Sequence, residues 1–128
     1  MKQVTLEVRR GAELQEVPFA PSEGDVMRAL DRLNGKDATM ITLEDGDNKL
    51  FVAGGPEVFS VVAWLGDDRI YDLVGDPLAS GTQNLVLGGQ LTPVPARHCV
   101  PLERARAAAL EFFGAGTVRI SHGWEKQK

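Results

Sequence analysis

Apolar residues recur along this chain with two different periods, and the switches between them mark out its elements. Val4, Leu6 and Val8 alternate with polar residues, which predicts a half-buried strand over Val4–Val8. Gly11 to Ala20 breaks the alternation and reads as a loop, with a short extended piece around Val17-Pro18-Phe19. The period then lengthens to that of a helix: Val26, Ala29, Leu30 and Leu33 form one apolar stripe. Pro21-Ser22-Glu23-Gly24-Asp25 opens this helix, with Ser22 as cap and Asp25 in the capping-box position, and Asn34-Gly35 ends it. From Thr39 the period returns to two. Strands are predicted over Thr39–Glu44, Lys49–Ala53, Val58–Leu65 and Arg69–Val74. The turns between them are Asp45-Gly46-Asp47-Asn48, Gly54-Gly55-Pro56 and Gly66-Asp67-Asp68, short enough to make an antiparallel meander.

Gly75 to Gly81 reads as a loop, followed by a last pair of strands at Thr82–Leu87 and Leu91–Val100. Pro93 and Pro95 lack a ladder donor and place the second of these at an edge. The strongest helix runs Leu102–Phe113, where Leu102, Ala105, Ala109, Phe112 and Phe113 share one stripe and Glu103, Arg104, Arg106 and Glu111 fill the rest of the circumference. Pro101 suits its first position and Gly114 and Gly116 suit its stop. The pattern predicts an α+β fold: an antiparallel meander sheet of about six to seven strands, with one helix on the N-terminal side and one C-terminal helix packed on it.

At 128 residues the expectation is a single domain spanning 1–128, and a chain of this size buries roughly 65–70% of its unfolded surface without staples. No run of 18 apolar residues suggests a membrane span. Glu7, Arg9 and Arg10 interrupt any secretory h-region, and the single Cys99 fits a reducing cytoplasm. A net charge of −4 argues against direct nucleic-acid binding, and its distribution is uneven. Glu44 to Asp76 holds eight acids against two bases, whereas Arg97 to Lys128 holds six bases against three acids.

The residues that could carry chemistry are few. His98 and Cys99 are adjacent near a strand end, so their side chains point to opposite faces and cannot chelate one ion or act as a nucleophile pair; a buried Cys99 and a surface His98 are expected. Asp45-Gly46-Asp47-Asn48 lacks the Gly and Glu that a calcium loop needs at positions six and twelve, which here are Leu50 and Pro56. Gly54-Gly55 and Gly88-Gly89 lie between strands and Gly114-Ala115-Gly116 closes a helix, so none is placed as a phosphate loop. No catalytic residue, metal or cofactor is therefore expected. Asp67, Asp68, Asp72 and Asp76 read either as solvated turns or, with Trp64 and Tyr71 nearby, as a surface made to meet a basic protein.

A resemblance extends this. Met40–Glu44 with its acidic turn, Leu50-Phe51-Val52 before Gly54-Gly55, Gly88-Gly89-Gln90, Val100-Pro101-Leu102-Glu103-Arg104-Ala105 through Leu110-Glu111-Phe112-Phe113, and a closing Trp124 resemble the immunity proteins of bacterial polymorphic toxin systems, in particular the deaminase-inhibitor immunity family. The link Thr117-Val118-Arg119-Ile120 is more strand-like than that family's. The resemblance implies a non-enzymatic cytoplasmic protein, a monomer or weak homodimer, that binds one cognate toxin domain and blocks it. The toxin would act on nucleic acid as a deaminase, and the candidate toxin-binding residues are Asp45, Asp47, Trp64, Asp67, Asp68, Tyr71, Asp72 and Asp76. The alternative is a small ligand-binding or accessory α+β domain without catalytic activity, with a pocket of convergent polar groups.

Overall fold

The computed structural model describes residues 2–10, 13–19, 22–36, 38–66, 69–87, 90–120 and 123–127. A hairpin of β1 (Lys2–Arg10) and β2 (Glu13–Phe19) leads into helix α1 (Glu23–Asp31). The meander follows as β3 (Ala38–Asp45), β4 (Asn48–Gly54), β5 (Val58–Leu65) and β6 (Ile70–Leu73). A second hairpin, β7 (Thr82–Leu87) and β8 (Gln90–Pro95), precedes a 3₁₀ turn at Ala96–His98 and the short β9 (Val100–Pro101). Helix α2 (Leu102–Ala115) and β10 (Trp124–Lys126) complete the chain. The main sheet has the order β10-β6-β5-β4-β3-β1-β2, every pair antiparallel, with β9 paired to β5 beyond the end of β6.

The expected α+β architecture is the observed one. The four-strand meander and both helices form where the periodicities place them. Val26, Ala29 and Leu30 of α1 and Leu33 just beyond its end are all fully buried, as are Ala105, Ala109 and Phe112 of α2. They pack on Ile41 and Leu43 of β3, Leu50 and Val52 of β4, and Phe59, Val61, Ala63 and Leu65 of β5 in one continuous core. Alternate residues of each strand point to opposite faces, so these positions define a single helix-covered face. Ser22 caps α1, its Oγ accepting from the Asp25 N–H at 3.1 Å. The capping box is incomplete, because the Asp25 carboxylate accepts from the Ser22 hydroxyl at 2.6 Å instead of reaching back to the backbone.

The structure corrects several expectations. The stretch expected as a loop over Gly11–Ala20 contains the seven-residue β2, whose alternation is hidden in sequence by Pro18. β2 is the outermost strand, where a missing N–H is tolerated. The strand expected over Leu91–Val100 is broken: β8 ends at Pro95, the chain makes a 3₁₀ turn, and Val100-Pro101 crosses to β5. The β7–β8 pair forms its own two-stranded sheet, so both strands are edges and the prolines fit. Pro101 is the N-cap of α2 and not its first helical residue, because its extended backbone (φ −76°, ψ 167°) is still paired to Val58. The helix continues through Gly114 and stops at Gly116, which adopts φ +75°. Thr117–Ile120 forms no strand; Val118 drops into the core, and the closing strand is β10 on the edge of β6. Pro21 at the helix start, Asp67-Asp68, Gly88-Gly89 and Ser121-His122 lie outside the described residues.

One side chain fastens three of these pieces together. Asn48 Nδ2 donates to the Gly116 carbonyl at 2.8 Å, while its Oδ1 accepts from the Gly66 N–H at 3.1 Å. The β3–β4 turn, the end of α2 and the exit from β5 thus share one amide. Two outcomes are expected in urea unfolding. Phe112→Ala should cost about 3–5 kcal/mol, because a fully buried ring leaves a cavity. Asn48→Ala should cost about 1–3 kcal/mol, because two part-buried partners lose their bonds; a neutral Asn48→Ala would refute its role as a tie.

Candidate functional site

The face of the sheet away from the helices carries the other half of the alternation: Met40 and Glu44 on β3, Lys49, Phe51 and Ala53 on β4, Ser60, Val62 and Trp64 on β5, and Asp72 on β6. It is only partly covered. The β7–β8 hairpin packs against β3, β4 and β5, and Leu85, Val94 and Ala53 are buried outside the main core. Beside them an apolar hollow of about 260 Å3 stays open, lined by Met40, Phe51, Ala53, Ser60, Val62 and Trp64. Phe51 meets Trp64 edge to face, with ring centroids 5.5 Å apart and planes at 65°. Trp64 nonetheless remains 41% exposed. On its other side a polar hollow of about 290 Å3 is lined by Gly46, Asp47, Lys49 and Gly66. Its shape comes from the β3–β4 turn, where Gly46 takes φ +62° and Asp47 keeps a negative φ, the type II′ pattern.

The structure distributes the residues singled out in the sequence. Trp64 and Asp47 wall the same polar hollow. Asp45 sits at the end of β3 against the end of α2, where a Cβ on Gly116 would come within 2.7 Å of its Oδ2. Tyr71 lies on the opposite face from Trp64, since it pairs with Ala63 and packs against the helix-side core. Asp72 shares the open face with Trp64 but is engaged: its side chain is 13% exposed, accepts from Gln127 Nε2 at 3.0 Å and lies 3.8 Å from His98 Nδ1. Asp76 is in the loop after β6, where its Oδ1 accepts from the Leu78 N–H at 3.0 Å. It lies at the far end of β5 from Asp47, roughly 20 Å of strand away. Asp67 and Asp68 lie outside the described residues.

The sheet edge beside Asp72 holds a compact ionic cluster that the sequence did not signal. Arg97 donates to both oxygens of Glu125, with Nη2 to Oε1 at 2.9 Å, and His98 Nε2 lies 3.2 Å from Oε1. His98 is buried, not surface, and Cys99 is only half-buried, the reverse of expectation. The cause is the 3₁₀ turn, which replaces strand alternation at this point and swings the imidazole under β10. Burial pushes the Cys99 thiol up from its ordinary pKa, which leaves it poorly nucleophilic. Arg97's hydrogen bonds hold Glu125 below the usual carboxylate range, with His98 adding to them against opposing desolvation. No group of three metal-binding side chains is present among the described residues. On the helix side a groove of about 510 Å3 runs between α2 and β10, lined by Arg104, Arg119, Glu111 and Trp124 over the small Ala107 and Ala108. Arg104 is held there by donating to the Val74 carbonyl at 3.0 Å.

Comparison with known proteins adds one finding to this geometry. The family described as Immunity protein Imm1 matches residues 15–124, a span that takes in every element from β2 to the start of β10. The chain belongs to the Imm1 family of immunity proteins. No curated protein and no solved structure matches it. The matched span of this Imm1 protein includes the whole open face of β3 to β6 and ends on Trp124. None of its helices, among the described residues, is long and apolar enough to cross a membrane.

The Glu125 cluster makes a pH prediction. A carboxylate whose folded pKa is depressed contributes stability above its unfolded value and loses it as pH falls through the folded one. The contribution should be complete above the ordinary value of 4.5 and fade below it. Urea midpoints measured between pH 6 and pH 3 should fall less steeply for Glu125→Gln than for the parent chain; parallel curves would sink the assignment.

Proposed function

We propose that this Imm1 protein acts in the cytoplasm by binding a cognate secreted-toxin domain and covering its active site, and that the toxin is a nucleic-acid deaminase. The family match over residues 15–124 carries the immunity part of the reading. The deaminase part rests on the sequence resemblance noted above and on charge. A toxin that acts on nucleic acid needs a basic surface to hold phosphates. The segment Glu44–Asp76, with its eight acids against two bases, supplies the complementary sign. The role is one of binding, and the specificity lies in the surface offered to one toxin.

The test uses the full chain and the C-terminal domain of the secreted toxin encoded beside it. The expected result is a nanomolar complex, about −12 kcal/mol, that abolishes the toxin's activity. Its association rate should fall as salt rises, because charge steers the encounter. A complex that leaves the toxin active, or no complex at all, overturns the reading. Inhibition of a toxin that is not a deaminase would keep the immunity role and discard the target class.

A further inference from the structure

The open face offers a feature that the excess of acids alone does not describe. Trp64 stands as a partition between two hollows of different chemistry, one apolar with Phe51, Met40 and Val62 and one polar with Asp47 and Lys49. We infer that Trp64 and the two hollows beside it are the toxin-docking site, receiving an apolar side chain of the toxin on the Phe51 side and a lysine or arginine of the toxin on the Asp47 side. This inference rests on the immunity reading above and adds the surface and the chemistry of its partner.

Three observations carry it. First, Trp64 is held in place before any partner arrives, by its edge contact with Phe51. A rigid aromatic of this kind loses little side-chain entropy on binding, and tryptophan in a partly enclosed site is a preferred anchor at protein interfaces. Second, the apolar hollow is lined by side chains of three adjacent strands, Met40 of β3, Phe51 and Ala53 of β4, and Ser60, Val62 and Trp64 of β5, so its shape is set by the sheet itself. Third, the charge beside it is complementary to a basic partner. Asp47 is exposed, and its carboxylate makes no hydrogen bond or ion pair among the described residues. The neighbouring Lys49 is drawn to Glu44 at 3.8 Å, which leaves the carboxylates in excess at this end of the face. Asp72 and Glu125, by contrast, are occupied by Gln127, His98 and Arg97 and act as framework.

The experiment measures the affinity and rates of the full chain for the toxin domain encoded beside it, for the parent and three variants. Trp64→Ala should weaken binding about a hundredfold, mainly through faster dissociation, as for a central interface anchor. Asp47→Lys should weaken it about tenfold or more, mainly through slower association, and should flatten the salt dependence. Arg119→Ala, on the helix side, should leave binding unchanged. Asp47 is exposed on a turn, so its variant keeps the fold and tests the site even if Trp64→Ala is destabilised. Tight binding by the parent with no loss in either open-face variant overturns the docking site while the immunity reading stands. Failure of the parent itself to bind overturns the immunity reading and this inference with it. Self-association of the parent that Trp64→Ala abolishes, with toxin binding intact, would assign the face to a second copy of this chain and overturn the inference as well.

Discussion

Ile41 and Leu43, Leu50 and Val52, and Phe59 through Leu65 at every second position all project to one side of the sheet, and that side is stable only because α1 and α2 cover it. The two helices bury both small and large residues in this core: Ala29, Ala105 and Ala109 are fully buried with Leu30 and Phe112. Once those eight strand positions are committed to the core, pleating leaves no choice about the rest. Phe51, Val62 and Trp64 must emerge on the far side, although they are as apolar as the residues that were buried. The fold covers part of that far side with the β7–β8 hairpin and leaves the remainder as a recess. The apolar recess on the far side is thus a consequence of how the core was built.

The ends of the sheet are managed by polar contacts. At one end Asn48 links the β3–β4 turn to Gly116 and Gly66. At the β10 edge, Glu125 gathers Arg97 and His98, and Asp72 takes Gln127. These bonds join segments far apart in the chain and hold a three-residue strand against β6 that would otherwise have little to retain it. They also account for acids that composition alone would assign to binding. A carboxylate already accepting from a neighbouring side chain is less available to a partner than one that is solvated, which separates Asp72 from Asp47.

Much of the architecture was legible because it depends on local periodicity. The 3.6-residue stripes of Val26–Leu33 and Leu102–Phe113 and the period-2 runs of β3 to β6 are properties of neighbouring residues, and they appear in the structure within a residue or two of their expected limits. Where local signals were weak, the reading failed for identifiable reasons. β2 contains Pro18 and owes its strand state to the template of β1 beside it. β10 is three residues long, too short for any period to show, and exists through pairing with β6. His98 became buried because a 3₁₀ turn, ended by cross-sheet pairing of Val100 with Phe59, overrode the alternation expected of a strand.

The sequence by itself determined which residues share a face within the strands β3 to β6, where the two helices lie to within a few residues, and that the middle of the chain carries an excess of acids. Only the tertiary structure decided which of the two faces the helices would take. Alternation in β4 and β5 puts Phe51, Val62 and Trp64 on one side and Leu50, Val52 and Val61 on the other, yet both sets are apolar, so hydrophobicity alone does not say which will be covered. Strand pairing, which is also decided between elements, put Trp64 and Tyr71 on opposite faces, set Trp64 beside Phe51 and near Asp47, and left Asp76 at the other end of the sheet. Proximity in sequence is kept only within an element, whereas a site is assembled across elements by the packing that joins them.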